Sequence, residues 1–237
     1  MMDNVDFYGV KLLVGSRLES TSKRIPLKKL LSVLELTLLA EFPGKYFKED
    51  YSNALREHLE ALINQPGYKY FDIVYQDAEM HILLSGRTIV NMEVGPGQPP
   101  VGEAFKLLGK TPLEVSVYQV HTPIAKTGTW GLIPGEIKGL IEEVTSALNG
   151  IMLSIVEGDL DELEQLVKRL EEAVSRLEAL VRSKTISREI RKVCEGFSKD
   201  AARLLDLYRR SDFIGLLNNA LIFLQALAYS CSRFKGG

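Results

Sequence analysis

Leu160-Asp-Glu-Leu163-Glu-Gln-Leu166-Val167-Lys-Arg-Leu170-Glu-Glu-Ala173-Val174-Ser-Arg-Leu177-Glu-Ala-Leu180-Val181 decides the fold of the second half of this chain. Leu160, Leu163, Val167, Leu170, Val174, Leu177 and Val181 alternate three- and four-residue steps, the a and d positions of consecutive heptads of an α-helix. Leu166, Ala173 and Leu180 widen the apolar stripe, and Glu164, Glu171 and Glu178 line its other flank. A stripe this wide exceeds what a two-stranded coiled coil requires and predicts one helix of a bundle.

Helical periodicity continues on both sides. Ile137, Leu140, Ile141, Val144, Leu148, Ile151 and Ile155 precede this helix; Ile190, Val193, Phe197, Leu204 and Tyr208 follow it, and a fourth helix is expected from about Asp212 to Phe234. Two joints resemble one another 53 positions apart: Ile155-Val-Glu-Gly-Asp159-Leu and Tyr208-Arg-Arg-Ser-Asp212-Phe. Each Asp can cap the next helix by accepting from its free N–H groups, and Glu162 completes a box-like pattern with Asp159. The second half therefore reads as an antiparallel four-helix bundle built from two αα-hairpins.

Charge fits that arrangement. Glu136 to Val181 holds eleven acids and four bases, net −7, whereas Arg182 to Arg210 holds nine bases and four acids, net +5. Antiparallel neighbours of opposite sign can pair along their rims, each exposed pair contributing about 0–1 kcal/mol. Within the basic run, Arg182, Lys184, Arg188, Arg191 and Lys192 form a candidate anion or partner surface.

The Pro- and Gly-rich passage from Thr122 to Gly135 separates this half from a region of mixed period. The expected organisation is an α+β domain over 1–125, a linker over 126–135 and the helical bundle over 136–237. Val5 to Val14 reads as one strand. Leu27, Leu30, Leu31, Leu34, Leu38 and Leu39 recur at helical spacing after Pro26 and predict a helix over 26–41. Asp50 to Ile63 predicts a second helix, which Gln65-Pro66-Gly67 ends. Between Tyr68 and Val94, aromatic and β-branched residues with turn signals at Gln76-Asp77 and Ser85-Gly86 predict three antiparallel strands. A short helix over 101–108 and a strand over 113–120 complete the order β-α-α-β-β-β-α-β, a mostly antiparallel α+β domain.

Ile82-Leu-Leu-Ser-Gly86-Arg-Thr-Ile-Val90-Asn-Met-Glu-Val-Gly95, followed by Gly102-Glu-Ala-Phe-Lys-Leu-Leu-Gly109, resembles the strand, glycine turn, strand and short helix of PATAN-type domains and of a related archaeal domain of unknown function. Leu113-Glu-Val-Ser-Val-Tyr118 is similar to the last strand of that archaeal group. Here Pro96-Gly-Gln-Pro-Pro100 is inserted before the helix, a departure from the pattern. The resemblance implies a non-enzymatic module that joins signalling or assembly components, with no catalytic residues to carry over.

At 237 residues and a net charge of −2, the chain has length for two cores and no general electrostatic pull toward a nucleic-acid backbone. No secretory signal is seen, and the apolar stretch Phe213 to Tyr229 carries Asn218, Asn219 and Gln225, so it is expected to be a buried helix and not a membrane span. Cys194 and Cys231 are too few for a disulfide scaffold, which suits the reducing cytoplasm. They lie 17 and 20 residues from Ser211 and so at similar heights on antiparallel helices; a Cys194–Cys231 disulfide is the alternative to two buried thiols.

Candidate chemistry is sparse. Ala104-Phe-Lys-Leu-Leu-Gly109-Lys110-Thr111 has the loose form of a phosphate loop, but it ends a helix where such a loop would open one. Gly95-Pro-Gly97 reads as a rigid turn. His58, His81 and His121 stand in different elements without metal-ligand spacing. His81, near Asp77 and Glu79, could serve as an acid/base group, although a half-exposed strand histidine satisfies the same pattern. No catalytic residue, cofactor or metal is expected. The sequence predicts an adaptor or regulatory scaffold that acts through protein contacts, as a homo-oligomer. The alternatives are a chaperone-like helical module holding an assembling subunit, and a ligand sensor or enzyme with an interdomain pocket.

Overall fold

A computed structural model of the chain describes residues 3–14, 26–95, 101–122, 135–182 and 187–233. It divides into two compact units, Met1–His121 and Thr122–Gly237. Most of the Pro/Gly-rich passage expected as the linker lies outside the described residues.

The first unit is α+β. Its seven-stranded sheet has the order β1-β2-β6-β5-β4-β7-β3, built from β1 (Asp3–Phe7), β2 (Val10–Val14), β3 (Glu35–Pro43), β4 (Tyr68–Val74), β5 (Glu79–Ser85), β6 (Thr88–Gly95) and β7 (Glu114–His121). All neighbours pair antiparallel except β2 and β6, which meet in a short parallel register at Leu13↔Thr88 and Val14↔Ile89. The β4-β5-β6 meander matches the sequence expectation. One face of the sheet is closed by α2 (Ser52–Ile63) and α3 (Val101–Leu108). Phe7, Leu12, Leu59, Ile63, Phe71, Ile73, Ile82, Val115 and Val117 are buried in the same core.

Two expected elements take another form. Val5 to Val14 is a hairpin rather than one strand: Tyr8 and Gly9 both have positive φ, 50° and 78°, the backbone that a two-residue hairpin turn requires, and Gly9 N–H donates to Asp6 Oδ1 at 2.7 Å. The helix expected over 26–41 shrinks to α1 (Leu27–Leu31), and Glu35–Pro43 becomes the edge strand β3. Pro26 and the first leucines start a helix, but eight cross-strand pairs with β7 outweigh local periodicity beyond Leu34. Leu27, Leu30, Leu31 and Leu34 are buried. The observed order of strands and α-helices is therefore β-β-α-β-α-β-β-β-α-β.

The second unit is an up-down-up-down bundle of α4 (Gly135–Glu157), α5 (Leu160–Arg182), α6 (Arg188–Arg209) and α7 (Phe213–Arg233). Each helix packs on the next, and α7 closes the ring against α4. Leu163, Val167, Leu170, Val174, Leu177 and Val181 of the heptad seam are buried. Gly150 lets α4 and α5 approach closely: a Cβ there would stand 2.8 Å from the methyls of Leu166.

The two similar joints share one hydrogen-bond pattern. Gly158 and Ser211 have left-handed backbones, φ 72° and 56°. The next N–H reaches back five residues, Asp159 to Ser154 O at 2.8 Å and Asp212 to Leu207 O at 3.0 Å, as in a Schellman ending. Each Asp then caps the following helix, accepting from Glu162 N–H at 3.0 Å and from Gly215 N–H at 2.9 Å.

Candidate functional site

Helix α7 is set into the bundle by its cap at Asp212 and by Leu216, Leu217, Ala220, Phe223, Leu224 and Leu227, all buried, with the Phe223 ring 5.8 Å from that of Phe197. The expectation of a buried helix holds for one face of α7 and is corrected for the other. Asn218, Ile222, Gln225 and Tyr229, spaced by four, three and four residues, fall on one outward stripe, with Ile222 58% and Tyr229 63% exposed. Asn219 is satisfied within the helix by donating to Gly215 O at 2.7 Å. No Asp, Glu, Lys or Arg occurs from Phe213 to Ser230. Solvated helix faces ordinarily carry charge, so this outer face lacks what keeps such a surface in water.

The face of the sheet opposite α2 and α3 holds a polar row. Register places Glu93, His81, Asp72 and Ser116 side by side across β6, β5, β4 and β7. His81 is 3% exposed, more deeply set than the half-exposed strand histidine expected. Its Nδ1 lies 2.9 Å from the Tyr70 hydroxyl and 3.1 Å from Asp72 Oδ1, and its Nε2 lies 3.9 Å from Glu79 Oε2. The Tyr70 ring stacks between His81 and Tyr118. Burial, then the Asp72 carboxylate, raises the Tyr70 phenol far above its ordinary range, so its hydroxyl stays protonated.

Helix α1 lies against this row. Glu93 accepts from Leu27 N–H, and Lys28 pairs with Glu79 at 3.4 Å. An open cleft of about 760 Å³ is lined here by Pro26, Lys28, Tyr75, Glu79, His81 and Glu93 among others. Such an arrangement can hold or pass a proton. Among the described residues, no three His, Cys, Asp or Glu side chains group as metal ligands.

Of the basic residues singled out in sequence, the described ones lie on α5 and α6. Arg182 lies 3.8 Å from Glu178 of its own helix, Arg188 and Lys192 are exposed on α6, Arg191 is half-buried, and Lys184 lies outside the described residues. The expected pairing of rims occurs at Arg209–Glu171, 3.5 Å between α6 and α5, and α5 also reaches α4 through Arg176–Glu143 at 2.9 Å. Cys194 is a buried free thiol, pushed up to about 11 chiefly by burial. The side chain of Cys231 lies outside the described residues.

Gly109 ends α3, Lys110 N–H turns back to Leu107 O, and Lys110 O accepts from the Tyr8 hydroxyl at 2.9 Å, so the phosphate-loop look-alike is a helix end. Most of Gly95-Pro-Gly97 lies outside the described residues. His58 is exposed with its ring against Phe42, and His121 is hydrogen-bonded to Thr37 Oγ1 at 2.9 Å. Amides among apolar residues speak against a membrane span but do not say which side of α7 the bundle leaves open. The missing charges were the available signal.

Residues 164–203, from within α5 into α6, match the family described as CAP N-terminal conserved motif. That span is well short of half the chain. No curated protein and no solved structure matches the chain.

Proposed function

We propose that the chain is a non-enzymatic adaptor or scaffold that engages protein through the outer face of α7. One observation supports this most: α7 presents Ile222 and Tyr229 to solvent on a stripe with no charged side chain. Apolar residues ringed by neutral polar ones suit a protein interface, where aromatic anchors dominate the binding energy and amides find partners. The resemblance of the first unit to PATAN-type domains points to the same class of function. The chaperone-like alternative has less support, because the groove of about 370 Å³ between α5 and α6 is lined by Glu178, Arg182, Glu195 and Lys199 around the single apolar Val181.

The reading is tested by affinity capture from native lysate with the intact chain beside the Ile222→Glu, Tyr229→Glu double variant. A stoichiometric protein retained by the first and lost by the second supports it. Equal retention by both moves the interface off α7.

A second reading, small-ligand binding by the first unit, is favoured by buried His81, paired with half-buried Asp72, at the wall of the cleft. A metabolite that raises the melting temperature of the intact chain, and no longer does so in His81→Ala, would support this second role. Equal stabilisation of both proteins would remove it.

A further inference from the structure

We propose that the cleft beside α1 binds an ammonium group, held between His81 Nε2 and the Glu79 carboxylate. This rests on the ligand-binding reading of the first unit and names the class of ligand. His81 is 3% exposed, and its two ring nitrogens have unequal surroundings. Nδ1 lies 3.1 Å from Asp72 Oδ1 and 2.9 Å from the Tyr70 hydroxyl. An ionised carboxylate only accepts, so Asp72 places the imidazole proton on Nδ1. In the neutral ring Nε2 is then a lone-pair acceptor.

Among the described residues nothing donates to that acceptor. The group it faces is Glu79 Oε2 at 3.9 Å, a second acceptor and beyond hydrogen-bonding distance. A buried acceptor without a donor carries a desolvation cost that a ligand N–H recovers. One donor nitrogen about 2.9 Å from each atom bridges the gap. His81 and Glu79 both line the cleft of about 760 Å³, so the gap lies at its wall.

Charge selects among donors. Around the cleft Lys28 and Lys29 stand against three carboxylates, Asp77, Glu79 and Glu93, and Asp72 adds a fourth on the far side of the His81 ring. The excess is negative, which attracts a cation and repels a phosphate or carboxylate. Lys28 already makes one such contact: its Nζ reaches Glu79 Oε2 at 3.4 Å, in a long, exposed pair that a ligand amine can displace.

The test titrates the intact chain at neutral pH with putrescine and with a lysine peptide, blocked at both ends and otherwise of alanine. Butanol and butyrate serve as the neutral and anionic counterparts. Calorimetry measures affinity, and NMR of the histidine ring nitrogens follows the signal that is lost in His81→Gln. The expected result is binding of the amines, with a shift of the His81 Nε2 signal while the proton stays on Nδ1. Glu79→Gln, at an exposed position, should keep the melting temperature and lower amine affinity at least about tenfold. Lys28→Gln, which frees the Glu79 carboxylate, should raise it about two- to fivefold.

Tighter binding of putrescine supports the site with a free amine as its ligand, and tighter binding of the peptide supports it with a lysine of a partner protein. A His81 ring protonated on both nitrogens in the free chain overturns the proposal, as does an amine affinity unchanged in both variants. Binding of butanol or butyrate but of neither amine overturns the class of ligand and leaves the ligand-binding reading standing. If no probe binds, the proposal falls, and that reading falls with it only if no metabolite stabilises the intact chain.

Discussion

Helices α4 and α7 have nearly the same mean hydropathy in their most apolar stretches, 1.3 and 1.4, and both are long enough to cross a bilayer by length and composition. They meet their surroundings differently. α4 buries Ile137, Leu140, Ile141, Val144, Leu148, Ile151 and Ile155 and turns Lys138, Glu142 and Glu143 outward, with Lys138 3.9 Å from Glu142 and Glu143 paired to Arg176. α7 buries one face and, from Phe213 to Ser230, offers no charge on the other. Apolarity alone thus does not separate a core helix from a docking helix. What separates them is the residue type on the face left over, and that residue type connects this fold to its proposed function.

The contrast can be broken from either side. The largest effect belongs to the α4 core: Leu148→Ala, at 0% exposure, should destabilise the helical unit by about 2–5 kcal/mol. Ile222→Ala should change monomer stability by no more than about 0.5 kcal/mol while weakening association. Urea unfolding of the intact chain at low concentration measures both. A cost for Ile222→Ala as large as that for Leu148→Ala would mean that α7 has no free face.

The joints sharpen the comparison, since α4 ends and α7 begins with the same device. Asp159→Ala and Asp212→Ala should each cost about 1 kcal/mol by removing an N-cap, equally within error because the two caps accept from matching N–H groups. Ser211→Gly should stabilise by a few tenths to about 1 kcal/mol, because Ser211 holds a left-handed backbone that glycine adopts without strain. Thermal melts of these three variants beside wild type check both statements.

The smallest effect is electrostatic. Burial raises the Asp200 carboxyl above the usual range against the opposing pull of Arg203. The folded state then holds the proton more tightly than the unfolded chain, so this group lowers stability as pH rises from its unfolded value through its folded one. Asp200→Asn should remove that loss and flatten the melting temperature between acid and neutral pH. A steeper dependence in the variant would contradict the assignment.

Much of this architecture was legible in the sequence. The heptads of α5 and the repeated Gly/Ser-Asp joints specify local structure, and local signals survive folding. The meander from Tyr68 to Gly95 was equally clear, because β-branched and aromatic runs alternate with turn residues. The segment after Pro26 misled because leucines at short spacing satisfy both helix and strand periods, and the deciding partner, β7, lies far away in the chain. His81 was visible as a residue but not as a site: Tyr70, Asp72 and Glu93 reach it only through cross-strand register. The face of α7 required knowing which side the bundle uses.

Hydrogen exchange resolved by peptide, on the intact chain alone and together with the protein it captures from lysate, tests most directly whether association runs through α7. The account predicts that protection of α7 amides rises in the presence of the captured protein while that of α4 stays constant. Protection that rises along the edge strands β1 or β3, or uniformly along the chain, or nowhere, would contradict it.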